Sequence, residues 1–119
     1  MNSKVLLDKS TLERLRRLGD NRFLVELIDL FLEHTPMKIN EALAGGKIGD
    51  WENVERAVHA LKSSAGNLGA LSLQDLAGQI EQLAERKEGD SIPELLKELQ
   101  DEYERVCDRL KAIKKGAEY

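Results

Sequence analysis

Hydrophobic residues recur at intervals of three and four along most of this chain, which is the spacing of an amphipathic α-helix. The pattern divides into four long segments, each with one apolar stripe and a polar opposite face. The stripes comprise Leu24, Leu27, Ile28 and Phe31; Val54, Val58, Leu61 and Leu68; Leu76, Ala77, Ile80, Leu83 and Ala84; and Ile92, Leu96, Leu99, Tyr103, Val106, Leu110 and Ile113. The chain therefore predicts four amphipathic helices.

A fifth, shorter segment precedes these helices. Ser10 and Glu13 have the spacing of a capping box, in which a hydroxyl and a carboxylate three residues apart satisfy the free amides of a helix start. A run of leucines at helical spacing comes next and should end at Gly19. Asp20 or Asn21 is then placed to cap the first long helix.

Proline, glycine and capping residues predict where the long helices begin and end. Pro36 should kink or restart the first one, because proline lacks a backbone donor and clashes with the preceding turn. The Gly45–Gly46 pair should end it, and Asp50 is placed to cap the next helix. Ser72 opens a second capping-box sequence, and the helix that it starts should close at Gly89–Asp90.

Four long helices with short connections pack most simply as an all-α, antiparallel up-down-up-down four-helix bundle, here with a short extra N-terminal helix. The length of 119 residues suits a single domain over 1–119, with its core at about 8–115. Residues from Gly116 onward should fray. The alternative is an assembly of single helices, as a tetramer or coiled coil.

Composition narrows the classes of function. Charged residues make up 34% of the chain, the net charge is −4, and the cations are scattered among acids, so the sequence predicts no nucleic-acid partner. The single Cys107 cannot form an internal disulfide, and no apolar run has the length of a signal peptide or a membrane span. We expect a cytoplasmic monomer with no membrane partner.

One histidine does not fit the apolar pattern. Counting roughly 100° per residue, His59 points about 150° away from the apolar stripe of its helix, so it should face water. Residues three or four positions apart are neighbours on a helix surface. The residues predicted to share the outward face with His59 are Arg56, Lys62, Ser63 and Gly66.

This face has the residue types of a phosphoryl site. An exposed imidazole is a competent nucleophile toward an acyl phosphate, because its ordinary pKa of about 6.5 leaves it mostly unprotonated near neutral pH. Lys62 would supply a compact positive charge for phosphoryl oxygens. Ser63 and Gly66 would let a partner approach His59 closely, and tight helix packing is the alternative explanation for these small residues.

The residues from His59 to Ala70 read H-A-L-K-S-S-A-G-N-L-G-A. This stretch resembles the signature of histidine-containing phosphotransfer (HPt) domains, which has histidine, any residue, leucine, lysine, glycine or serine, then small residues and a closing Leu-Gly. The resemblance extends from about Asp8 to Lys115, and the family more often has glycine at the position of Ser63.

The resemblance implies a bundle that accepts a phosphoryl group on His59 from a receiver-domain aspartate and passes it to another. Lys62 would stabilise the phosphate. The residues that would dock the partner are Arg56, Ser63, Gly66 and Asn67. The implied partners are receiver domains of response regulators or of hybrid histidine kinases. The domain itself would hold no cofactor or metal, since Mg²⁺ would belong to the receiver, and it would have no kinase activity of its own.

Two further polar positions bear on this site. Family members often place a glutamine of the next helix near the histidine, and here Gln79 and Glu81 flank the apolar stripe, with Glu81 in the expected register. Its carboxylate would repel a phosphoryl group, although it could orient the imidazole, and we interpret Glu81 as solvated. We expect His34 to be partly buried and hydrogen-bonded, and not a second phosphorylation site or a zinc ligand.

Other interpretations remain open at this point. The domain could bind a receiver or kinase without being phosphorylated, although the His59–Lys62 pair argues against that. It could also be a kinase dimerisation segment, but those resemble His-Glu-x-Arg/Asn-x-Pro, and no ATP-binding signature is present. Four apolar residues lie off the main stripe of the first long helix, where burial under the short helix is favoured over a docking patch: Phe23, Val25, Leu30 and Leu32.

Overall fold

The computed structural model describes residues 5–117, with side chains to residue 116, and it contains four helices. They are α1 (Lys9–Ile48), α2 (Trp51–Asn67), α3 (Leu71–Glu85) and α4 (Ile92–Ala117). Helix α1 packs against α2 and α4, and α3 packs against the same two, so that the four form a closed ring. The predicted all-α four-helix bundle is confirmed.

The interior of the bundle is made by the predicted apolar stripes. Burying each aliphatic side chain contributes about 1.5–3 kcal/mol, which is why the stripes, and not the helix propensities, hold the helices together. The largest fully buried side chains are Leu24, Ile28, Leu61, Leu73, Ile80, Ile92, Leu99, Leu110, Val54, Val58 and Val106. All four helices contribute to this core.

The short N-terminal helix and the first long helix are joined in α1. Asp20 separates them, since it alone within α1 has non-helical torsions (φ 75°, ψ −176°), and its Oδ1 accepts a hydrogen bond of 3.1 Å from the Phe23 amide. The predicted break and cap are therefore confirmed. The start of α1 differs from the prediction, because Asp8 is the cap: its Oδ2 accepts from the Thr11 amide at 3.2 Å and from the Ser10 hydroxyl at 2.8 Å.

The predicted end of the first long helix at Gly45–Gly46 was wrong, and the helix does not restart at Pro36. Its backbone stays helical through Pro36 and through Gly45–Gly46, and it ends at Ile48, where Gly49 caps it with a left-handed φ of 71°. Gly45 is buried against α2, and a Cβ there would lie 3.1 Å from the Val54 side chain. This glycine therefore permits the close approach of two helices and does not terminate α1.

Helix α2 begins as predicted, with Asp50 Oδ1 accepting from the Asn53 amide at 3.2 Å. Helix α3 does not, because it starts at Leu71 without a side-chain cap. Ser72 is instead buried, and its hydroxyl has no hydrogen-bond partner among the described residues. Because α3 begins at Leu71, Ser72 lies within the first turn of the helix and not at the cap position, which Ala70 occupies.

The other predicted helix ends also shift. Helix α3 closes at Glu85, before the predicted Gly89–Asp90. Gly89 lies against the ring of Trp51, where any side chain would collide. Helix α4 includes Gly116 and Ala117, so the chain is still helical where fraying was expected to begin, and residues 118–119 lie outside the described residues. Between residues 5 and 117, no helix combines the length and hydrophobicity needed to cross a membrane.

Candidate phosphotransfer site

His59 lies near the middle of α2 on the face that points away from the core. The buried residues of this helix fix its rotation, and they are Val54, Ala57, Val58, Leu61 and Ala65. The His59 side chain is 63% exposed, as the pattern predicted. The ring is therefore open to a partner from outside the bundle.

Glu81 of α3 contacts both functional residues of α2. Its Oε2 lies within hydrogen-bond distance of His59 Nδ1, and its Oε1 accepts from Lys62 Nζ at 2.5 Å. The Glu81 side chain is only 14% exposed, whereas that of Lys62 is 36% exposed. The interpretation of Glu81 as solvated was wrong, because its side chain is mostly buried and contacts His59 and Lys62 of α2.

The carboxylate of Glu81 is ionised at neutral pH. Its burial acts to raise the pKa, but the hydrogen bonds from Lys62 and His59 outweigh that effect and hold the pKa below its ordinary value. An ionised carboxylate can only accept hydrogen bonds, so the proton shared with the ring belongs to His59 Nδ1. For a neutral imidazole this assignment leaves the lone pair on Nε2, which is the nucleophilic nitrogen.

The remaining predicted docking residues differ in their surroundings. Arg56, Ser63 and Asn67 are all exposed on α2, and Arg56 pairs with Glu52 of the preceding turn at 3.5 Å. Gly66 is half-buried, and a Cβ there would meet the flexible end of the Gln74 side chain on α3, which would have to move aside. Gly66 therefore lies at the contact of α2 with α3, whereas Arg56, Ser63 and Asn67 face outward.

A shallow cleft of about 300 Å³ lies between α1 and α2 beside this face. Its lining is Leu27, Leu30, Phe31 and His34 of α1, with Ser64, Asn67 and Leu68 of α2. Leu30 is 51% exposed, so this member of the off-stripe set is not covered, whereas Phe23 and Leu32 pack against the core. His34 is exposed, and the expectation that it would be partly buried was wrong.

No group of three or more metal-ligating side chains occurs in the described part of the chain. The described residues do bring together an imidazole, an ammonium and a carboxylate, on a face that is otherwise made of small or exposed side chains. A helical bundle with this outward histidine is the architecture of a phosphotransfer domain.

Comparison with known proteins gives the family. The family model of the Hpt domain matches residues 26–109, and this chain belongs to that family. The crystal structure of histidine-containing phosphotransfer protein B (HptB) from Pseudomonas aeruginosa PAO1 is similar over 95% of this chain and 97% of that one. Its TM-score is 0.88 at 24% sequence identity, which supports the shared fold. No match was found among curated proteins.

Membership in the family carries a general function. The chain is a histidine phosphotransfer protein of two-component signalling. Proteins of this family are phosphotransfer intermediates and not kinases, and they interact with receiver domains and kinases.

Proposed function

We propose that His59 accepts a phosphoryl group from the aspartyl phosphate of one receiver domain and passes it to the aspartate of another. The observation that carries this proposal is the contact between Glu81 and His59 Nδ1 on an exposed ring. This contact holds the imidazole in the tautomer whose free lone pair is on Nε2, and it fixes the ring without covering that nitrogen.

The transfer needs no base from this chain. The Nε2 lone pair attacks the phosphorus, the bond from phosphorus to the aspartyl oxygen breaks, and its electron pair returns to the receiver carboxylate. A Mg²⁺ bound by the receiver would supply charge stabilisation on the receiver's side of the complex. Lys62 lies one turn from His59, and its ammonium offers a positive charge to the phosphoryl oxygens.

The face around His59 suits the approach of a receiver. Reacting atoms must come within about 3–3.5 Å of each other, so the two protein surfaces have to meet without a projecting side chain between them. Ser63 is a small exposed residue one turn after His59. The cleft beside it, with Leu30 and Asn67, would bury apolar area against the receiver.

Label transfer tests the proposal. Incubation with a receiver phosphorylated at its aspartate should label the parent protein through an acid-labile, alkali-stable bond, and the label should pass on to a second receiver. His59→Gln should take no label, whereas His34→Gln, the matched control at the other histidine, should transfer like the parent. Label that persists in His59→Gln would refute the proposal, and binding without any label would identify a pure interaction module.

A further inference from the structure

The contact between Glu81 and His59 acts on the product of transfer as well as on the free imidazole. We propose that Glu81 is a positioning residue that keeps a proton on Nδ1 while Nε2 carries the phosphoryl group, and so keeps that group able to leave. This inference rests on the proposed function, because it concerns the phosphorylated state of His59.

The chemistry of the leaving group gives the reason. When the phosphoryl group moves to a receiver aspartate, a carboxylate oxygen bonds to the phosphorus and the bond from phosphorus to Nε2 breaks, with its electron pair returning to Nε2. If Nδ1 holds its proton, the departing group is neutral imidazole. If Nδ1 has lost its proton, the departing group is an imidazolate anion, which is a far stronger base and a poor leaving group. The release rate therefore depends on the fraction of phosphorylated rings that are protonated at Nδ1.

The position of Glu81 favours the protonated ring. With the phosphoryl group on Nε2 and the proton on Nδ1 the ring carries a positive charge, and the Glu81 carboxylate is already in hydrogen-bond contact with that nitrogen. The carboxylate is 14% exposed, so water screens it only partly. An opposite charge at this range favours the charged form of a titrating group by about one pH unit or more.

The other charged groups around the ring do not replace this effect. By helix spacing, Glu55, Arg56 and Lys62 of α2 face His59, and Glu85 lies one turn from Glu81 on α3. Lys62 donates to the second oxygen of the same carboxylate at 2.5 Å, which keeps Glu81 ionised. Because Lys62 lies one turn from His59, its ammonium can turn toward a phosphoryl group on Nε2 while Glu81 keeps its contact with Nδ1.

The experiment uses phosphoramidate, a small chemical donor, so that His59 is phosphorylated without a receiver. The rate of loss of the phosphoryl group is then measured from pH 5 to pH 9 for the parent, for Glu81→Gln and for the matched control Glu98→Gln. Glu98 is an exposed carboxylate on α4. A glutamine at position 81 can still accept the Nδ1 hydrogen bond but has no charge.

We expect the pH midpoint of phosphoryl loss to fall by about one unit in Glu81→Gln, which makes release about tenfold slower above both midpoints. The control should keep the midpoint of the parent, and Glu81→Asp should lie nearer to the parent than Glu81→Gln does. A merely structural role for Glu81 would change the thermal midpoint but not the position of this pH curve.

Two outcomes overturn the inference, and they differ in what they say of the proposed function. A parent that is labelled on His59, with a midpoint that Glu81→Gln does not move, refutes the role of Glu81 alone. A parent that takes no label on His59 refutes the proposed function and this inference with it. If Glu81→Gln does not fold, ¹⁵N spectra of the phosphorylated parent decide: Nδ1 should keep its proton to a pH about one unit higher in the folded protein than in the unfolded chain, and equal midpoints would overturn the proposal.

Discussion

Replacement of Lys62 by methionine tests how much Lys62, as distinct from His59, stabilises the Glu81 carboxylate. Methionine keeps most of the length of the lysine stem and removes its charge, so the main change is at the Glu81 carboxylate, which loses a 2.5 Å hydrogen bond. Exposed ion pairs are worth about 0–1 kcal/mol and breaking fully buried ones costs about 3–5 kcal/mol. With Lys62 36% and Glu81 14% exposed, this pair lies between those limits.

We therefore expect Lys62→Met to lose about 1–2 kcal/mol of unfolding free energy, which lowers the melting temperature of a domain of this size by about 4–8 °C. Much of that loss arises because the Glu81 carboxylate keeps its contact with His59 but no longer has the Lys62 ammonium beside it. The double variant Lys62→Met with Glu81→Gln removes both charges, so it should recover at least half of the lost stability. Chemical denaturation of the parent, both single variants and the double variant measures this coupling.

Phosphoryl transfer should not recover in the same way. Loss of the Lys62 charge should slow transfer from a phosphorylated receiver by about 5–150-fold, equivalent to about 1–3 kcal/mol of barrier, in the single and the double variant alike. If the stability changes are additive within about 0.5 kcal/mol, Lys62 and Glu81 do not interact in solution. If Lys62→Met transfers at the rate of the parent, Lys62 is a surface charge without a role in the reaction.

Three further changes test separate parts of the structure. Ser63→Trp should slow transfer at least about tenfold by holding a receiver away from His59, while the melting temperature stays within about 2 °C, because the position is exposed. Gly69→Ala should cost about 2–3 kcal/mol in denaturation, since Gly69 has a φ of 74° and a Cβ would lie 2.8 Å from Thr11 Cβ. The lowered pKa of Glu81 contributes stability above the ordinary glutamate pKa, so the stability difference between the parent and Glu81→Gln should shrink as the pH falls from about 6 to about 3.

For each of these three predictions, a specific result would contradict the reasoning. Ser63→Gly is the control for the first, and it should transfer at least as fast as the parent. A Ser63→Trp variant that transfers normally would place the receiver elsewhere. A Gly69→Ala cost below about 0.5 kcal/mol would contradict the left-handed conformation at that residue. A stability difference for Glu81→Gln that is constant from about pH 7 to about pH 3 would show that this carboxylate titrates alike in the folded and unfolded chain.

The sequence determined the features that depend on neighbours along one helix. The direction of His59 is set by the buried positions of its own helix, and the breaks at Asp20 and Asp50 arise from side chains that cap an amide three residues on. These relations span only a few residues, and helix geometry fixes them whatever surrounds the helix. The fold class was predictable for the same reason, since apolar stripes of this period can be buried only against one another.

Tertiary structure decided the features that depend on how two helices meet. Glu81 is 22 residues from His59 along the chain, and their contact depends on the relative rotation and axial register of α2 and α3. The sequence pattern predicts a helix end at Gly45, yet in the structure α1 and α2 approach each other closely at this residue. Local patterns give the direction of a side chain from its own helix axis, and the family resemblance could only place Glu81 in the expected register, so packing was needed to show that its carboxylate contacts His59.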